Sequence, residues 1–172
     1  MNVILLGYMG SGKSTVGKML SAKMGYSFID SDAYIEEKEQ MSISELFKTK
    51  GEIYFRKQEH LYLQELLNKE NIILALGGGT PCYGRNMEMI LNSSHSASIY
   101  LKCTIPSLVL RLNLEKASRP LISHLKTDEE LTEFIGKHLF ERSHFYNQSK
   151  YTVVVDGKSA ETITEEISNL LL

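Results

Sequence analysis

Short, largely apolar runs alternate with stretches of helical periodicity along the whole chain. The runs occupy residues 3–6, 27–29, 72–76, 98–101 and 152–155. Runs of this length, bounded by turn-forming residues, are typical of buried strands, and the helical stretches between them supply crossover connections. The pattern therefore predicts an α/β domain with a mostly parallel sheet and helices packed against it.

A glycine-rich loop follows the first apolar run directly. Residues 7–14 read Gly-Tyr-Met-Gly-Ser-Gly-Lys-Ser, and helical periodicity begins at once. This is the P-loop pattern in its strand–loop–helix context. Gly10 and Gly12 allow successive backbone N–H groups to face one phosphate chain, Lys13 supplies a cation for the β- and γ-phosphates, and Ser14 offers a hydroxyl to Mg²⁺. The loop predicts binding of a nucleoside triphosphate.

Two segments are longer than ordinary connections. Residues 32–70 place two or three helices between adjacent strands: a capping box at Ser42 and Glu45 opens a short helix that we expect to end at Gly51, and a longer helix follows. We expect these helices to form a small subdomain beside the P-loop. Residues 115–127 have mixed polarity and contain a proline, which in a phosphoryl-transfer protein predicts a mobile lid.

Two carboxylates follow the second predicted strand, in Asp30-Ser31-Asp32. The carboxyl ends of parallel strands open onto the ligand crevice, so both side chains can face the P-loop. Two acids at this position can serve a metal ion and an acceptor hydroxyl together. The structural alternative is that Asp32 is only the N-cap of the next helix.

Three glycines, Gly77, Gly78 and Gly79, end the third predicted strand. Consecutive glycines carry a large entropy cost, and a simple turn needs one or two. They therefore predict close approach of a substrate to the backbone. No Asp ends this strand as in a standard Walker B motif, so metal binding is expected from Ser14 and the 30/32 acid pair.

Three arginines complete the candidate site. Arg56 and Arg142 each lie beside aromatic residues in predicted helices, and Arg119 lies in the predicted lid. A planar guanidinium binds a carboxylate through two hydrogen bonds, so the two helical arginines suit an anionic acceptor. Arg119 is placed to close over the transferring phosphate, and we expect its side chain to be solvent-exposed until nucleotide and acceptor are both bound. No histidine has a metal-ligand spacing, and all five are interpreted as structural.

Composition narrows the function further. The 172 residues suffice for one domain spanning 1–172, and the net charge of −2, with no Lys/Arg run longer than two, argues against a nucleic-acid partner. Two cysteines make neither a metal spacing nor a disulfide framework, and no apolar run reaches the length of a membrane span. The first predicted strand begins at Asn2, and we therefore expect no signal sequence. We expect a cytoplasmic monomer that acts on small molecules.

The motifs taken together resemble the shikimate kinase family, within the nucleoside-monophosphate-kinase group of P-loop folds. The resemblance extends over nearly the whole chain and rests on 7–14, 28–32, 51–59, 77–79, Arg119-Pro120-Leu121, and Arg142 with Tyr146. It implies a three-layer fold with a five-stranded parallel sheet, a substrate-binding helical insertion and a lid. It also implies transfer of the γ-phosphate of ATP, with Mg²⁺, to the 3-hydroxyl of shikimate.

Residue roles follow from the resemblance by motif. Asp32 would hold the shikimate hydroxyls. Arg56, Gly78 and Arg142 would bind the substrate, chiefly through its carboxylate, and Asp30 would join Ser14 at Mg²⁺. The implied catalytic residues are Lys13, Asp32 and Arg119. The implied ATP-binding residues are Gly10, Ser11, Gly12, Lys13, Ser14, Thr15, Arg111 and Arg119. The family often carries an Arg near adenine in the loop after the last strand, where this chain has Lys158.

Three other functions share part of this pattern. A gluconate-type or nucleotide kinase would have the P-loop and a lid, without an evident need for three glycines and two aromatic-flanked arginines. A GTP-binding switch should carry Asn-Lys-x-Asp, and Asn68-Lys69-Glu70-Asn71 departs at the last position. A module that only binds ATP remains the third alternative.

Overall fold

The structure, a computed structural model, describes residues 1–172 and contains one five-stranded sheet. All strand pairs are parallel, in the order β2-β3-β1-β4-β5. The strands are β1 (Asn2–Leu6), β2 (Ser27–Asp30), β3 (Ile72–Ala75), β4 (Ser96–Lys102) and β5 (Tyr151–Val154). The predicted fold class is confirmed, and the first and third strands lie side by side at the centre, so their following loops meet.

Eight α-helices connect and cover the strands. They are α1 (Lys13–Met24), α2 (Ser31–Glu39), α3 (Ile43–Thr49), α4 (Gly51–Leu67), α5 (Asn86–Leu91), α6 (Ile105–Glu115), α7 (Asp128–Tyr146) and α8 (Ala160–Leu170). No helix combines the length and the apolar character needed to cross a bilayer.

The alternation of side chains along β1 divides the core into two layers. Val3 and Leu5 pack in a cluster with α1, α6, α7 and α8, whereas Ile4 and Leu6 pack in a second cluster with α4 and α5. A central parallel strand buried on both faces must be apolar throughout, which is why β1 reads as an unbroken apolar run. Burial on both faces holds the loop after β1 at the middle of the molecule.

Helices α2, α3 and α4 fill the insertion between β2 and β3. They have a small core of their own, made by Ile35, Leu46 and Phe55. The predicted capping box at Ser42 forms. Helix α3 ends at Thr49, and Gly51, two residues later, has φ +83°, the left-handed conformation that commonly terminates a helix, so Gly51 ends the short helix as predicted. The next helix, α4, begins at the same glycine.

The segment 115–127 connects α6 to α7. A short 3₁₀ turn over Lys116–Ser118 is followed by turns without regular structure. Ile122, in the middle of the segment, is fully buried in the larger core cluster, while Leu121 beside it is largely exposed. Leu125 packs against the same cluster and is partly buried, so the segment is attached to the core at Ile122 and Leu125, and most of its other residues are exposed.

Candidate active site

The P-loop turns tightly between β1 and α1. Gly10 and Gly12 have φ values of +81° and +96°, in the left-handed region that side chains disfavour. A Cβ at Gly10 would also lie 2.9 Å from the Leu112 side chain. The loop thus requires glycine at both positions, and α1 begins at Lys13 with its free N–H groups toward the loop.

A cleft of about 470 Å³ opens over this loop. All eight residues expected to bind ATP line it, as do Asp30, Asp32, Gly77 and Gly78. The remaining predicted acceptor residues, Gly79, Arg56 and Arg142, lie outside this cleft and next to its Gly77–Gly78 wall. The structure therefore brings the nucleotide residues together in one cavity and the acceptor arginines together beside it.

Lys13 is folded back onto its own loop. Its Nζ donates to the carbonyl oxygens of Gly7, at 2.8 Å, and Tyr8, at 3.0 Å. Burial lowers the pKa of Lys13 to about 8, although Asp32 and Asp30 oppose the change. The ammonium group is thus held in position by weak neutral acceptors, which an anionic phosphate can replace.

The helix cap after β2 is Asp30, not Asp32. One carboxylate oxygen of Asp30 accepts from the backbone N–H groups of Asp32, at 3.0 Å, and Ala33, at 3.2 Å. Its other oxygen accepts from Ser14 Oγ at 3.1 Å. The capping alternative considered for Asp32 is therefore wrong, because the turn begins two residues earlier and leaves the Asp32 carboxylate free of capping bonds.

The Ser14–Asp30 pair suits Mg²⁺ chemically. Both side chains present oxygen atoms, the ligands that Mg²⁺ prefers, at the mouth of the phosphate loop. No group of three or more His, Cys, Asp or Glu side chains is arranged to hold a metal ion anywhere in the chain. A magnesium ion that is held mainly by nucleotide phosphates and water needs no such cage.

Asp32 is a half-buried carboxylate close to two other acidic side chains, Asp30 and Glu59. Burial, with smaller contributions from the Asp30 and Glu59 charges, raises its pKa to about 6, and Lys13 opposes the change. A carboxylate with this pKa is mostly ionised at neutral pH and is a stronger base than an exposed one. These are the properties of a group that can accept a proton from a hydroxyl.

The three glycines 77–79 each face one of the predicted acceptor residues. A Cβ at Gly77 would lie 2.6 Å from Asp32 Oδ1, one at Gly78 would lie 3.3 Å from Arg142 Nη1, and one at Gly79 would lie 3.4 Å from the terminal nitrogens of Arg56. None of the three has a positive φ. The glycine run therefore gives space to three side chains, a reason more specific than the substrate contact predicted from sequence.

Arg56 is held by a buried carboxylate that sequence reasoning left without a role. Its Nη1 donates to Glu59 Oε1 at 2.9 Å, and Thr80 Oγ1 donates to the other Glu59 oxygen at 2.7 Å. The guanidinium carbon lies 3.6 Å from the centroid of the Tyr83 ring. Glu59 follows Arg56 by three residues on α4, and this helical spacing was the available indication of the pair.

Arg142 differs from Arg56 because it has no carboxylate partner. It takes part in no ion pair, whereas Arg56 pairs with both Glu52 and Glu59. The neighbouring Tyr146 is fully buried and donates its hydroxyl proton to the Gly78 carbonyl, which fixes the end of α7 against the glycine run. A half-buried guanidinium that has no anionic partner in the protein is free to form strong charge-assisted hydrogen bonds with an anionic ligand.

Arg119 is less exposed than expected. Its Nε donates to Glu115 Oε2 at 2.7 Å and Nη2 donates to the same oxygen, so the lid arginine is paired with the last residue of α6. The side chain is 35% exposed, less than a free lid arginine would be, because the Glu115 carboxylate lies one helical turn away and pairs with it. Both partners line the cleft.

Arg111 and Lys158 lie at the other end of the cleft. Arg111 donates to the carbonyl oxygens of Gly10, at 3.3 Å, and Val155, at 3.5 Å, and so joins the P-loop to the end of β5. Lys158 donates to Glu166 on α8. Ala160 and Ile163 add apolar side chains to the lining of the cleft.

Comparison with known proteins gives a consistent result. The family model described as shikimate kinase matches residues 9–172. A shikimate kinase of Flavobacterium psychrophilum is 46% identical over 170 residues, which are 98% of each chain. The crystal structure of a shikimate kinase from Bacteroides thetaiotaomicron superposes with a TM-score of 0.91 at 35% identity, covering 99% of this chain and 98% of that one.

A second solved structure, of shikimate kinase from Acinetobacter baumannii in complex with shikimate, superposes with a TM-score of 0.85 at 30% identity. It covers 99% of this chain and 92% of that one. The family model, the relatives and the structures thus all match over almost the full length, and the chain belongs to the shikimate kinase family.

Proposed function

We propose that this kinase transfers the γ-phosphate of ATP to the 3-hydroxyl of shikimate, in aromatic amino-acid biosynthesis. Family membership and the similarity to a protein solved with shikimate support the reaction. The observation that carries the acceptor assignment is Arg142, a half-buried guanidinium without a carboxylate partner beside Gly78. An acceptor carboxylate completes this site, and Arg56 supplies a second cation.

On the nucleotide side, Lys13 exchanges its bonds to the loop carbonyls for bonds to the β- and γ-phosphates. Ser11 supports this assignment, because its buried hydroxyl has no hydrogen-bond partner within the loop. Ser14 and Asp30 would hold Mg²⁺, which supplies neutralisation of phosphate charge when bound. Arg119 leaves Glu115 and adds its charge to the transferring phosphate. Arg111 and Lys158 face the nucleotide base beside Ala160.

On the acceptor side, Asp32 accepts the proton of the 3-hydroxyl while that oxygen bonds to the γ-phosphorus and the bond to the β-phosphate oxygen breaks. ADP leaves with the bonding electrons. The carboxylate of Asp32 and the ammonium of Lys13 belong to one charged cluster, as their mutual influence on pKa indicates. The acceptor hydroxyl and the γ-phosphate are therefore brought together at this cluster.

We further propose that the enzyme works as a cytoplasmic monomer without nucleic-acid or membrane partners.

An ADP-release assay with purified protein tests the function. Shikimate, gluconate and AMP are offered separately with ATP and Mg²⁺, and products are identified by mass spectrometry. We expect ADP formation to depend on shikimate and to yield one shikimate phosphate. Phosphorylation of gluconate or AMP in preference to shikimate contradicts the proposal, and ATP binding without any acceptor turnover contradicts it as well.

The acceptor arginines give the first prediction. Arg142→Lys and Arg56→Lys should each raise the KM for shikimate by about tenfold or more, with little change in the KM for ATP, because lysine keeps the charge and loses the two-pronged hydrogen-bonding edge. The effect should be larger at Arg142, whose charge is not already paired. Steady-state kinetics with each substrate varied measures both values.

Arg85→Lys is the matched control for these variants. Arg85 is exposed and paired only with Glu88, outside the acceptor site, so both KM values should match those of the wild type. If Arg56→Lys and Arg142→Lys raised the KM values for ATP and shikimate equally, the assignment of these arginines to the acceptor site would be wrong.

The lid gives the second prediction. Arg119→Ala should lower kcat by about 10²-fold, with a smaller effect on the binding of either substrate alone, because the side chain contacts the phosphates only in the closed state. Hydrogen exchange over 115–127 should decrease when nucleotide and shikimate are both present. Full protection in the ligand-free protein, or a kcat close to that of the wild type, contradicts a closing lid.

A further inference from the structure

Tyr8 occupies an unusual place for a P-loop residue. Its side chain is 1% exposed, and its hydroxyl is hydrogen-bonded at 2.7 Å to His138 Nδ1 on α7, 130 residues away in sequence. The ring of His138 packs edge-on against Phe134 with centroids 4.5 Å apart, which fixes the imidazole orientation. The P-loop is therefore joined to α7 by one well-defined polar contact.

The same helix carries the unpaired acceptor arginine. Arg142 follows His138 by four residues and so lies one turn further along the same face of α7. Its guanidinium carbon is 5.8 Å from the centroid of the Tyr8 ring. Tyr8 thus contacts the arginine through its ring and the histidine through its hydroxyl.

The main chain of Tyr8 belongs to the phosphate site. Its carbonyl oxygen accepts from Lys13 Nζ at 3.0 Å. One residue consequently contacts the lysine that faces the γ-phosphate and the helix whose arginine faces the acceptor. No other side chain of the P-loop makes a hydrogen bond to α7.

We infer that Tyr8 and His138 are positioning residues, whose hydrogen bond sets the distance between the phosphate site and the Arg142 carboxylate site. The inference rests on the proposed function and adds two residues to it. Phosphoryl transfer depends on alignment of the acceptor oxygen with the γ-phosphorus, and a small displacement of one site relative to the other lowers the rate strongly. Burial lowers the pKa of His138, with Arg142 contributing, so the imidazole adds no charge beside the arginine at neutral pH.

The experiment removes the hydrogen bond from each side. Tyr8→Phe deletes one oxygen atom and keeps the ring over Arg142, and His138→Leu deletes the imidazole nitrogens. His138→Gln keeps a group able to accept or donate the bond. Tyr34→Phe is the control. It removes a comparable hydrogen bond, from the Tyr34 hydroxyl on α2 to Glu65 on α4, which is exposed to solvent. Full-length proteins are compared by kcat/KM for shikimate, the ratio of ADP to shikimate phosphate formed, and Tm.

We expect Tyr8→Phe and His138→Leu each to lower kcat/KM for shikimate by about tenfold, the size of one hydrogen bond. In the double variant kcat/KM for shikimate should also decrease by about tenfold, and not by a hundredfold, because both changes remove the same contact. The ratio of ADP to shikimate phosphate should rise above one, as water competes with a misaligned acceptor. His138→Gln should recover most of the activity.

Two results overturn the inference while leaving the function intact. One is wild-type kinetics in Tyr8→Phe and His138→Leu. The other is a decrease in kcat/KM that is additive in the double variant and parallels the decrease in Tm, while the ratio of ADP to shikimate phosphate stays at one. Such a result indicates a general packing defect. Absence of shikimate turnover in the wild-type protein is a different result, because it contradicts the proposed function itself.

Discussion

Lys13→Ala should lower kcat for shikimate phosphorylation by about 10³-fold or more and leave the fold intact. The lysine ammonium acts on charge that develops on the transferring phosphate, a contribution that no other P-loop side chain can replace. Its only hydrogen bonds are to the carbonyl oxygens of Gly7 and Tyr8 in the wall of an open cleft, where water can take its place. The measurements are kcat by ADP release and Tm by circular dichroism.

Lys18→Ala is the matched control for this variant. Lys18 lies on the same helix, is exposed, and makes no hydrogen bond to the loop, so its removal should change neither kcat nor Tm appreciably. A Lys13→Ala protein that turns over at a rate near that of the wild type would contradict the P-loop assignment. A large decrease in Tm would show instead that the loop carbonyls depend on the lysine for folding.

Features that depend on neighbouring residues could be predicted from the sequence. The apolar run 3–6, the glycines of the P-loop and Lys13 are contiguous, and their order alone specifies strand, phosphate loop and helix. The capping box at Ser42 was predicted for the same reason. Gly51 was predicted to end α3, and it does so in the left-handed conformation; that α4 begins at the same glycine was not evident from the sequence.

Features that depend on distant residues could not be predicted. The glycine run 77–79 suggested close approach, but the partners are side chains from α2, α4 and α7, which only the fold brings to β3. Glu59 was visible as an i, i+3 neighbour of Arg56, yet its burial and its contact with Thr80 were not. His138 was interpreted as structural because it has no metal-ligand spacing, and its hydrogen bond to Tyr8, 130 residues away, was not evident from the sequence.

Asp32→Asn is the second variant with a large expected effect. The amide keeps the shape of the carboxylate and cannot accept the proton of the acceptor hydroxyl, so kcat should decrease by about 10²- to 10⁴-fold. ATP affinity should stay the same or increase, because a negative charge near the phosphates is removed. Isothermal titration with ATP and steady-state kinetics with shikimate separate these two effects.

The stability of this variant should not decrease. Burial raises the pKa of Asp32 from 3.8 to about 6, so its ionised form is disfavoured in the folded protein. A group with a raised folded-state pKa contributes its stabilisation at low pH and loses it as the pH rises through about 6. At neutral pH the neutral amide therefore removes an unfavourable buried charge, and Tm should equal or exceed that of the wild type.

The pH dependence provides the most specific test of Asp32. With both substrates below their KM values the rate reports the free enzyme, and in the wild type it should decrease tenfold per pH unit below about 6, as the carboxylate becomes protonated. The residual rate of Asp32→Asn should lack this limb, whereas Glu37→Gln, an exposed neutralisation on the same helix, should keep it. An acid limb that persists unchanged in Asp32→Asn would assign the proton acceptor to another group and leave Asp32 with a binding role only.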